Sequence, residues 1–447
     1  MLKIPQSLQH LRSHAARASW AVSDAFVGPA LLLLLSPFLL RHLGTTGFGL
    51  WALATAISGF GSLASLGVSI ATTKYVSEDL GAGNRPSALG VTRSASTVAL
   101  LGGSILIVVV GLSAPLLARF AFGKMGDHGT VSAALTLGVV LLVTQEFDGV
   151  FAGALRGAHR FDAVGKIEMT MRPIWAIAVA LTAWRTQDTV SALYASVCVN
   201  AIKAVIRATW ASRVLQGFAA RPSFDAQQFK RIIRFGKWAW LQGLGIVFFS
   251  VLDRILVGAL LGAADLARYS ICLQLTQFVH VLLASALLPV IPAISGGRQN
   301  GMRLQKLKRV SVIAGLVCLL PPLLVALLSP TILSLWVSPA FASANQALVL
   351  GLFASATLLC FCVPVHHILI GLGEMRLIGV LAIVGGLANL AVALVFSGIG
   401  VGAFAIGRIV FAALPILFFV RLWQIAKSRQ LADDTQASDE APTAAQA

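Results

Sequence analysis

Hydrophobic residues form long runs along the chain, separated by short segments rich in Lys, Arg, Gly and Pro. About 20 apolar residues are enough for a helix to cross about 30 Å of hydrocarbon, and residues 310–337 contain no charge at all. The runs predict twelve spans, at residues 20–40, 49–72, 94–118, 129–152, 173–184, 188–210, 238–261, 269–296, 310–337, 342–371, 377–398 and 400–420. The fifth run is short, and we expect its helix to begin a turn or two earlier, near Arg172.

The segments outside the runs predict how the chain is organised. We expect an interfacial segment on the cytoplasmic surface at 1–19, six-helix bundles at 20–218 and 238–425, a basic cytoplasmic linker at 219–237, and a disordered cytoplasmic tail at 426–447. The first segment mixes leucine with arginine, as helices lying on a membrane surface do. The tail is acidic and poor in large apolar residues, which is typical of disorder.

Lysine and arginine are distributed unevenly between the two ends of the predicted spans. With a cytoplasmic N-terminus, 25 of the 34 Lys and Arg residues lie on the cytoplasmic side, five lie on the opposite side and four lie within spans. Positive residues accumulate in the cytoplasmic loops of membrane proteins. We therefore predict a multi-pass membrane protein with both termini in the cytoplasm.

The two halves of the chain contain similar features at similar places. The Leu-Gly pair ending at Gly44 recurs in the second half as the pair ending at Gly262, and in both places an aromatic residue follows seven positions after the glycine. The segment around Gly157 likewise resembles the segment around Gly371, at almost the same separation along the chain. A repeat with unchanged orientation predicts two pseudo-symmetric six-helix bundles around a central cavity, which rock against each other to open it alternately to either side.

Composition excludes several classes of function. The chain is 57% hydrophobic and only 11% charged, whereas soluble domains carry about 25% charged residues. The net charge of +17 is explained by cytoplasmic loops, so no nucleic-acid partner is expected. No GxxxxGK[ST] motif for nucleotide phosphates occurs, and the loops on the outer side are too short for a catalytic domain. We predict neither enzymatic activity nor a metal site.

Ionisable residues inside the spans are the candidates for function, because a charge at the bilayer centre is costly and is usually functional. Lys203 and Arg207 lie one turn apart toward the inner end of the sixth span. Asp253 and Arg254 lie in the outer half of the seventh span, and Arg408 lies in the outer half of the twelfth. Lys203 and Arg207 could instead extend to the interface, and Arg254 and Arg408 could pair with buried carboxylates.

Three further carboxylates lie toward the inner ends of spans, at Asp24, Glu146 and Asp148. A buried carboxylate can carry a proton or bind sodium. We consider these residues candidates for coupling transport to an H⁺ or Na⁺ gradient, and we expect no organic cofactor. Asp24 could equally be a solvated residue at a helix entrance.

Several segments resemble the bacterial oligosaccharide flippase family. They are FLLRHLGTTGFGLWAL, LGVSIATTKYVSEDLGAGN, ALRGAHRFDAVGKIE, VLDRILVGALLGAADLARYSICLQL and LLPVIPAIS. The resemblance extends over residues 20–422 and is most specific from Asp253 to Tyr269. The family belongs to the multidrug/oligosaccharidyl-lipid/polysaccharide exporter superfamily, together with drug antiporters and lipid II flippases.

This resemblance implies transport of undecaprenyl-pyrophosphate-linked oligosaccharide repeat units across the bacterial inner membrane, toward lipopolysaccharide or exopolysaccharide. A polymerase and a chain-length regulator of that pathway are the protein partners that it implies. Because guanidinium groups bind phosphate oxygens bidentately, we expect Arg254, Arg408, Lys203 and Arg207, with Asp253 beside them, to line the site for the pyrophosphate and glycan.

Two alternatives belong to the same superfamily. A multidrug antiporter coupled to an ion gradient would require an acidic, aromatic cavity, whereas four of the residues within spans are basic. A lipid II flippase would differ mainly in its cargo, and such proteins often have extra spans that this chain lacks.

Overall fold

The computed structural model describes residues 6–59, 68–221, 223–232, 251–287 and 304–439, together with the single residues 247 and 290. The first half of the predicted seventh span, the end of the eighth, most of the second half of the predicted linker and the last eight residues of the tail lie outside the described residues. Asp24 lies within a described helix, but its side chain lies outside the described part of the structure.

Thirteen α-helices lie in these residues. They are α1 (Gln6–Ser58), α2 (Val68–Gly81), α3 (Arg85–Phe120), α4 (His128–Gly157), α5 (Phe161–Thr186), α6 (Thr189–Val214), α7 (Leu252–Leu261), α8 (Ala263–Ala286), α9 (Leu304–Trp336), α10 (Pro339–Leu372), α11 (Met375–Val395), α12 (Val401–Ala413) and α13 (Leu417–Asp439). No strand occurs within the described ranges, and the predicted all-α class is confirmed. Among the described helices, nine stretches are long and apolar enough to cross a membrane.

The structure differs from the predicted spans at three places. α5 begins at Phe161 rather than near Arg172, because Ala163, Val164 and Ile167 are buried against neighbouring helices and a long lipid-facing run is not needed there. The predicted twelfth span is interrupted after Ala413 by a short 3₁₀ turn that contains a proline. Finally, α13 continues to Asp439, so residues 426–439 are helical where the sequence predicts a disordered tail.

The backbone repeats the sequence duplication. Gly44 interrupts α1 with φ 71° and ψ 176°, and Gly262 separates α7 from α8 with φ 99° and ψ −176°. This region of the backbone map is open essentially to glycine alone. Two further pairs of positive-φ residues occupy matching places in the two halves, His159 with Gly373 and Gln187 with Gly400. The halves therefore share their turns as well as their sequence motifs.

α1 packs against α4 and α5 of the first half and against α8 of the second. The halves are in backbone contact at one end of the molecule, which we call the Gly262 end. A Cβ at Gly49 would overlap the carbonyl oxygen of Ala263, and one at Gly262 would lie 2.7 Å from the carbonyl oxygen of Lys124. The Lys124 ammonium also donates to the carbonyl of Leu260 at 2.8 Å.

The described part of the predicted linker packs onto the opposite end, near the α4–α5 turn. The Arg231 guanidinium pairs with Asp79 of α2 at 3.2 Å and lies over the Tyr75 ring, 4.5 Å from its centroid. The Tyr75 hydroxyl donates to the Arg231 carbonyl at 3.0 Å. We call this the His159 end.

Candidate functional site

A cavity of about 380 Å³ lies between the two halves, with walls from α1, α4, α5, α6, α7 and α8. Its volume is within the usual range of about 300–1,000 Å³ for ligand pockets. The aromatic wall residues are Phe48, Trp51 and Trp175, and the principal polar ones are Gln145, Glu168, Arg172, Lys203, Arg254 and Gln274. Among the described wall residues, three cations therefore face a single carboxylate.

Five ionisable residues of the first half form one connected group, which we call the N-half cluster: Asp148 on α4, Glu168 and Arg172 on α5, and Lys203 and Arg207 on α6. Arg207 donates to Asp148 and, at 2.6 Å, to Glu168. The Lys203 ammonium lies 3.3 Å from Asp148 and 3.6 Å from Glu168. The Arg172 Nε lies 3.1 Å from the second Glu168 oxygen.

Burial divides this cluster into two parts. The back, Asp148 and Arg207, lies behind the cavity wall, and the front, Glu168, Arg172 and Lys203, forms part of it. Arg207 is 2% exposed. Buried charges are tolerated only when they are paired, and here three cations share two carboxylates. The cluster therefore has a formal excess of one positive charge, which its two front cations present to the cavity.

The position of Arg172 depends on a glycine of α1. A Cβ at Gly28 would lie 3.0 Å from a terminal nitrogen of the Arg172 guanidinium. The missing side chain gives the guanidinium room against the α1 backbone, at the wall of the cavity.

The second half contains another charged group, the C-half cluster of Asp253 and Arg254 on α7, Tyr269 on α8 and Arg408 on α12. Arg408 and the Tyr269 hydroxyl both donate to the same oxygen of Asp253. Asp253, Tyr269 and Arg408 are at most 2% exposed and are not part of the cavity wall.

Arg254 is the one residue of this cluster in the wall of that cavity. Its guanidinium donates to the side-chain oxygen of Gln277 at 2.9 Å, and its Nε has no hydrogen-bond partner among the described residues. Arg254 and Asp253 are adjacent, but their side chains lie on different sides of α7 because successive helical residues point in different directions.

Of the seven predicted site residues whose side chains the structure describes, two, Lys203 and Arg254, lie in the cavity wall. Arg207, Arg408, Asp253 and Asp148 lie behind it in ion pairs, and Glu146 is partly buried on α4. Glu168 precedes the fifth apolar run and is not among the site residues predicted from the sequence. The available signal was its spacing of four residues from Arg172, which places a carboxylate and a guanidinium side by side on a helix.

The two clusters lie at different depths. Asp148, Glu168 and Arg207 are each within about ten residues of the helix ends at the His159 end. Asp253, Tyr269 and Arg408 are equally close to the ends of their helices at the Gly262 end. At 1.5 Å per residue, each cluster lies roughly 10 Å inside its own end of the bundle. The cavity extends between them.

Comparison with known proteins places the chain in a family. A family model described as "Polysaccharide biosynthesis protein" matches residues 38–329. The uncharacterized membrane protein EpsK of Bacillus subtilis (strain 168) is 21% identical over 376 residues, which cover 81% of this chain and 73% of EpsK.

Among solved structures, the fold is similar to an inward-facing multidrug resistance MATE family transporter of the MOP superfamily, with TM-score 0.77, 17% identity and coverage of 92% of this chain and 98% of the other. The outward-facing conformation of such a transporter gives 0.52 at 17% identity, with 91% and 98% covered. A mutant of the Vibrio cholerae MATE transporter VcmN gives 0.61 at 16%, with 96% and 99% covered.

These similarities confirm the predicted fold, an all-α polytopic membrane protein with about twelve transmembrane helices in two pseudo-symmetric bundles around a central cavity. The matched family model covers well over half of the chain. The chain therefore belongs to the polysaccharide biosynthesis protein family, and its fold is that of the MATE transporters.

Proposed function

We propose that this protein is a flippase that moves oligosaccharide repeat units linked to undecaprenyl pyrophosphate from the cytoplasmic to the periplasmic leaflet of the bacterial inner membrane. It would act by alternating access, in surface polysaccharide biosynthesis. The observation that carries the proposal is the cavity between the halves, whose charged wall residues are Arg172, Lys203, Arg254 and Glu168. A net positive wall suits a pyrophosphate, which cannot enter hydrocarbon without cationic partners.

The same wall argues against a cationic drug as cargo. A cation would be repelled by three positive side chains and attracted by one carboxylate that is already paired. The uncharged polar residues Gln145 and Gln274 and the ring of Trp175 are suited to sugar hydroxyls and sugar faces. The volume of about 380 Å³ holds a headgroup and the sugar next to it, while the polyprenyl chain stays in lipid.

Two observations support loading from the cytoplasmic side. The halves are in backbone contact at the Gly262 end, which the distribution of Lys and Arg assigns to the periplasm. In addition, the fold superposes better on the inward-facing MATE structure than on the outward-facing one.

Coupling to H⁺ or Na⁺ and association with a polymerase and a chain-length regulator complete the proposal. Of the candidate coupling residues, Asp148 is already paired with two cations.

Reconstitution tests this function directly. Vesicles containing the purified protein receive a fluorescent short-chain polyprenyl-pyrophosphate sugar, and its appearance in the opposite leaflet is measured. Wild type should accelerate this movement. Arg254→Ala should slow it at least about tenfold, the equivalent of one lost charge-assisted hydrogen bond, with normal assembly. Protein-dependent exchange of a cationic drug, with no movement of the lipid-linked sugar, would refute the proposal in favour of the antiporter.

A further inference from the structure

Glu168, the carboxylate of the described cavity wall, is paired with three cations. One oxygen accepts from Arg207 at 2.6 Å and lies 3.6 Å from the Lys203 ammonium, and the other lies 3.1 Å from Arg172. Its side chain is 11% exposed. Glu168 is therefore the counter-ion for both front cations of the N-half cluster.

The back of the cluster allows this counter-ion to give up its front partners. Arg207 binds Glu168 and Asp148 from outside the cavity wall. If another anion took Arg172 and Lys203, Glu168 would still have its shortest ion pair with Arg207. No carboxylate would be left bare in the interior, where an unpaired charge costs several kcal/mol.

We infer that Glu168 is an internal competitor of the cargo, and that the anionic headgroup displaces it from Arg172 and Lys203 when it enters the cavity. This inference rests on the proposed function and names a residue that regulates the same site. Arg172 and Lys203 then exchange one anionic partner for another. The headgroup therefore binds more weakly than it would bind to two unpaired cations. A carrier needs such moderate affinity, because a site that binds too tightly does not release.

Binding of farnesyl pyrophosphate to the purified protein in detergent, measured by titration calorimetry, tests the inference. Glu168→Gln removes the competitor and keeps the shape of the side chain. We expect its dissociation constant to fall about tenfold, which corresponds to about 1.4 kcal/mol. Turnover of the lipid-linked sugar in vesicles should fall at the same time because release becomes slower. A purely structural role would not tighten binding.

Glu374→Gln is the matched control. Glu374 pairs with Arg421 at 3.1 Å and is not part of the cavity wall, so the same change in charge should leave the dissociation constant unchanged. Equal tightening in both variants would indicate a nonspecific charge effect and would overturn the inference.

The outcomes separate this inference from the proposed function. If wild type binds the probe in an Arg254-dependent manner but Glu168→Gln binds it no more tightly, the competitor role is wrong and the flippase stands. If neither wild type nor Glu168→Gln binds it, the flippase proposal is refuted, and the inference that rests on it is refuted as well. Should Glu168→Gln fail to assemble, Glu168→Asp takes its place. Its shorter carboxylate reaches the two front cations less closely, and binding should tighten by a smaller factor; unchanged affinity would again overturn the inference.

Discussion

At the scale of single residues, Arg254 and Arg408 have the same side chain in opposite environments. The sequence predicts both as phosphate ligands because both are cations at similar depth. In the structure Arg254 lines the cavity, whereas Arg408 is 1% exposed and bonded to Asp253. A sequence gives the depth of a charge from its place in an apolar run. It does not give the direction of the side chain, which depends on how each helix is rotated in the bundle.

This difference predicts how the Arg408 pair contributes to stability. Arg408→Leu leaves Asp253 as an unpaired buried charge and should lower the free energy of unfolding by about 3 kcal/mol. Adding Asp253→Leu removes that charge and should recover more than half of the loss, since an apolar pair can replace a buried ion pair. Thermal unfolding in detergent measures both. A double variant no more stable than the single one would show that the ion pair is not the cause.

At the scale of elements, the apolar runs predict most helices but underestimate the length of α5, which begins at Phe161. That helix contains Lys166, Glu168 and Arg172, so its first part does not resemble a membrane span. The reason is that Glu168 and Arg172 face protein rather than lipid, and hydropathy measures only how well a segment suits lipid. The element with the weakest apolar signal is therefore the one that supplies Glu168 and Arg172 to the cavity.

A second element-scale feature is the start of α6, which is capped by Asp188. Its carboxylate accepts from the backbone of Ser191 at 2.8 Å and of Val190 at 3.3 Å. Asp188→Ala should lower the free energy of unfolding by about 1 kcal/mol, the usual value of such a cap. Asp188→Asn keeps an equally good cap and should be close to wild type at neutral pH.

The same cap should respond to acid. Partial burial raises the pKa of Asp188, but hydrogen bonds from Ser191 and Val190 outweigh it and hold that pKa below its ordinary value. A lowered pKa stabilises the fold above the ordinary value of about 4, and the stabilisation is lost as pH falls through the lowered pKa. Unfolding midpoints at decreasing pH should show wild type losing its advantage over Asp188→Ala, while Asp188→Asn keeps its own. Parallel curves for all three proteins would contradict this.

At the scale of the whole molecule, the duplication is present in the backbone but not in the charges. When the halves are aligned so that Gly157 meets Gly371, Asp148 corresponds to Cys362 and Glu168 to Ala382. The sequence predicts the repeated architecture because the thickness of the membrane sets the length of each apolar run, and turn residues recur at matching positions in the two halves. The arrangement of two unlike charged clusters beside the predicted cavity could not be predicted, since it depends on which side chains of two similar bundles face each other.

The contact at the Gly262 end should hold that end closed, so weakening it should favour the state in which the end is open. Gly49→Val would place a branched side chain on the Ala263 carbonyl, so the closed arrangement of this end should be disfavoured and the population should shift toward its opening. Spin labels at His128→Cys and Arg268→Cys, in a Cys198→Ser background, should report a longer distance. Gly111→Val, where nothing lies within 4 Å, is the control. An unchanged distance in the Gly49 variant would show that this contact does not hold the end closed.

The contact between Gly49 and Ala263 also has a consequence for the proton permeability of the membrane. Where two main chains touch without intervening side chains, there is no space for a chain of hydrogen-bonded water molecules. Protons therefore have no path through this end of the protein. A resting copy of the protein should therefore not conduct protons across its membrane. Widening this contact should make the membrane permeable to protons.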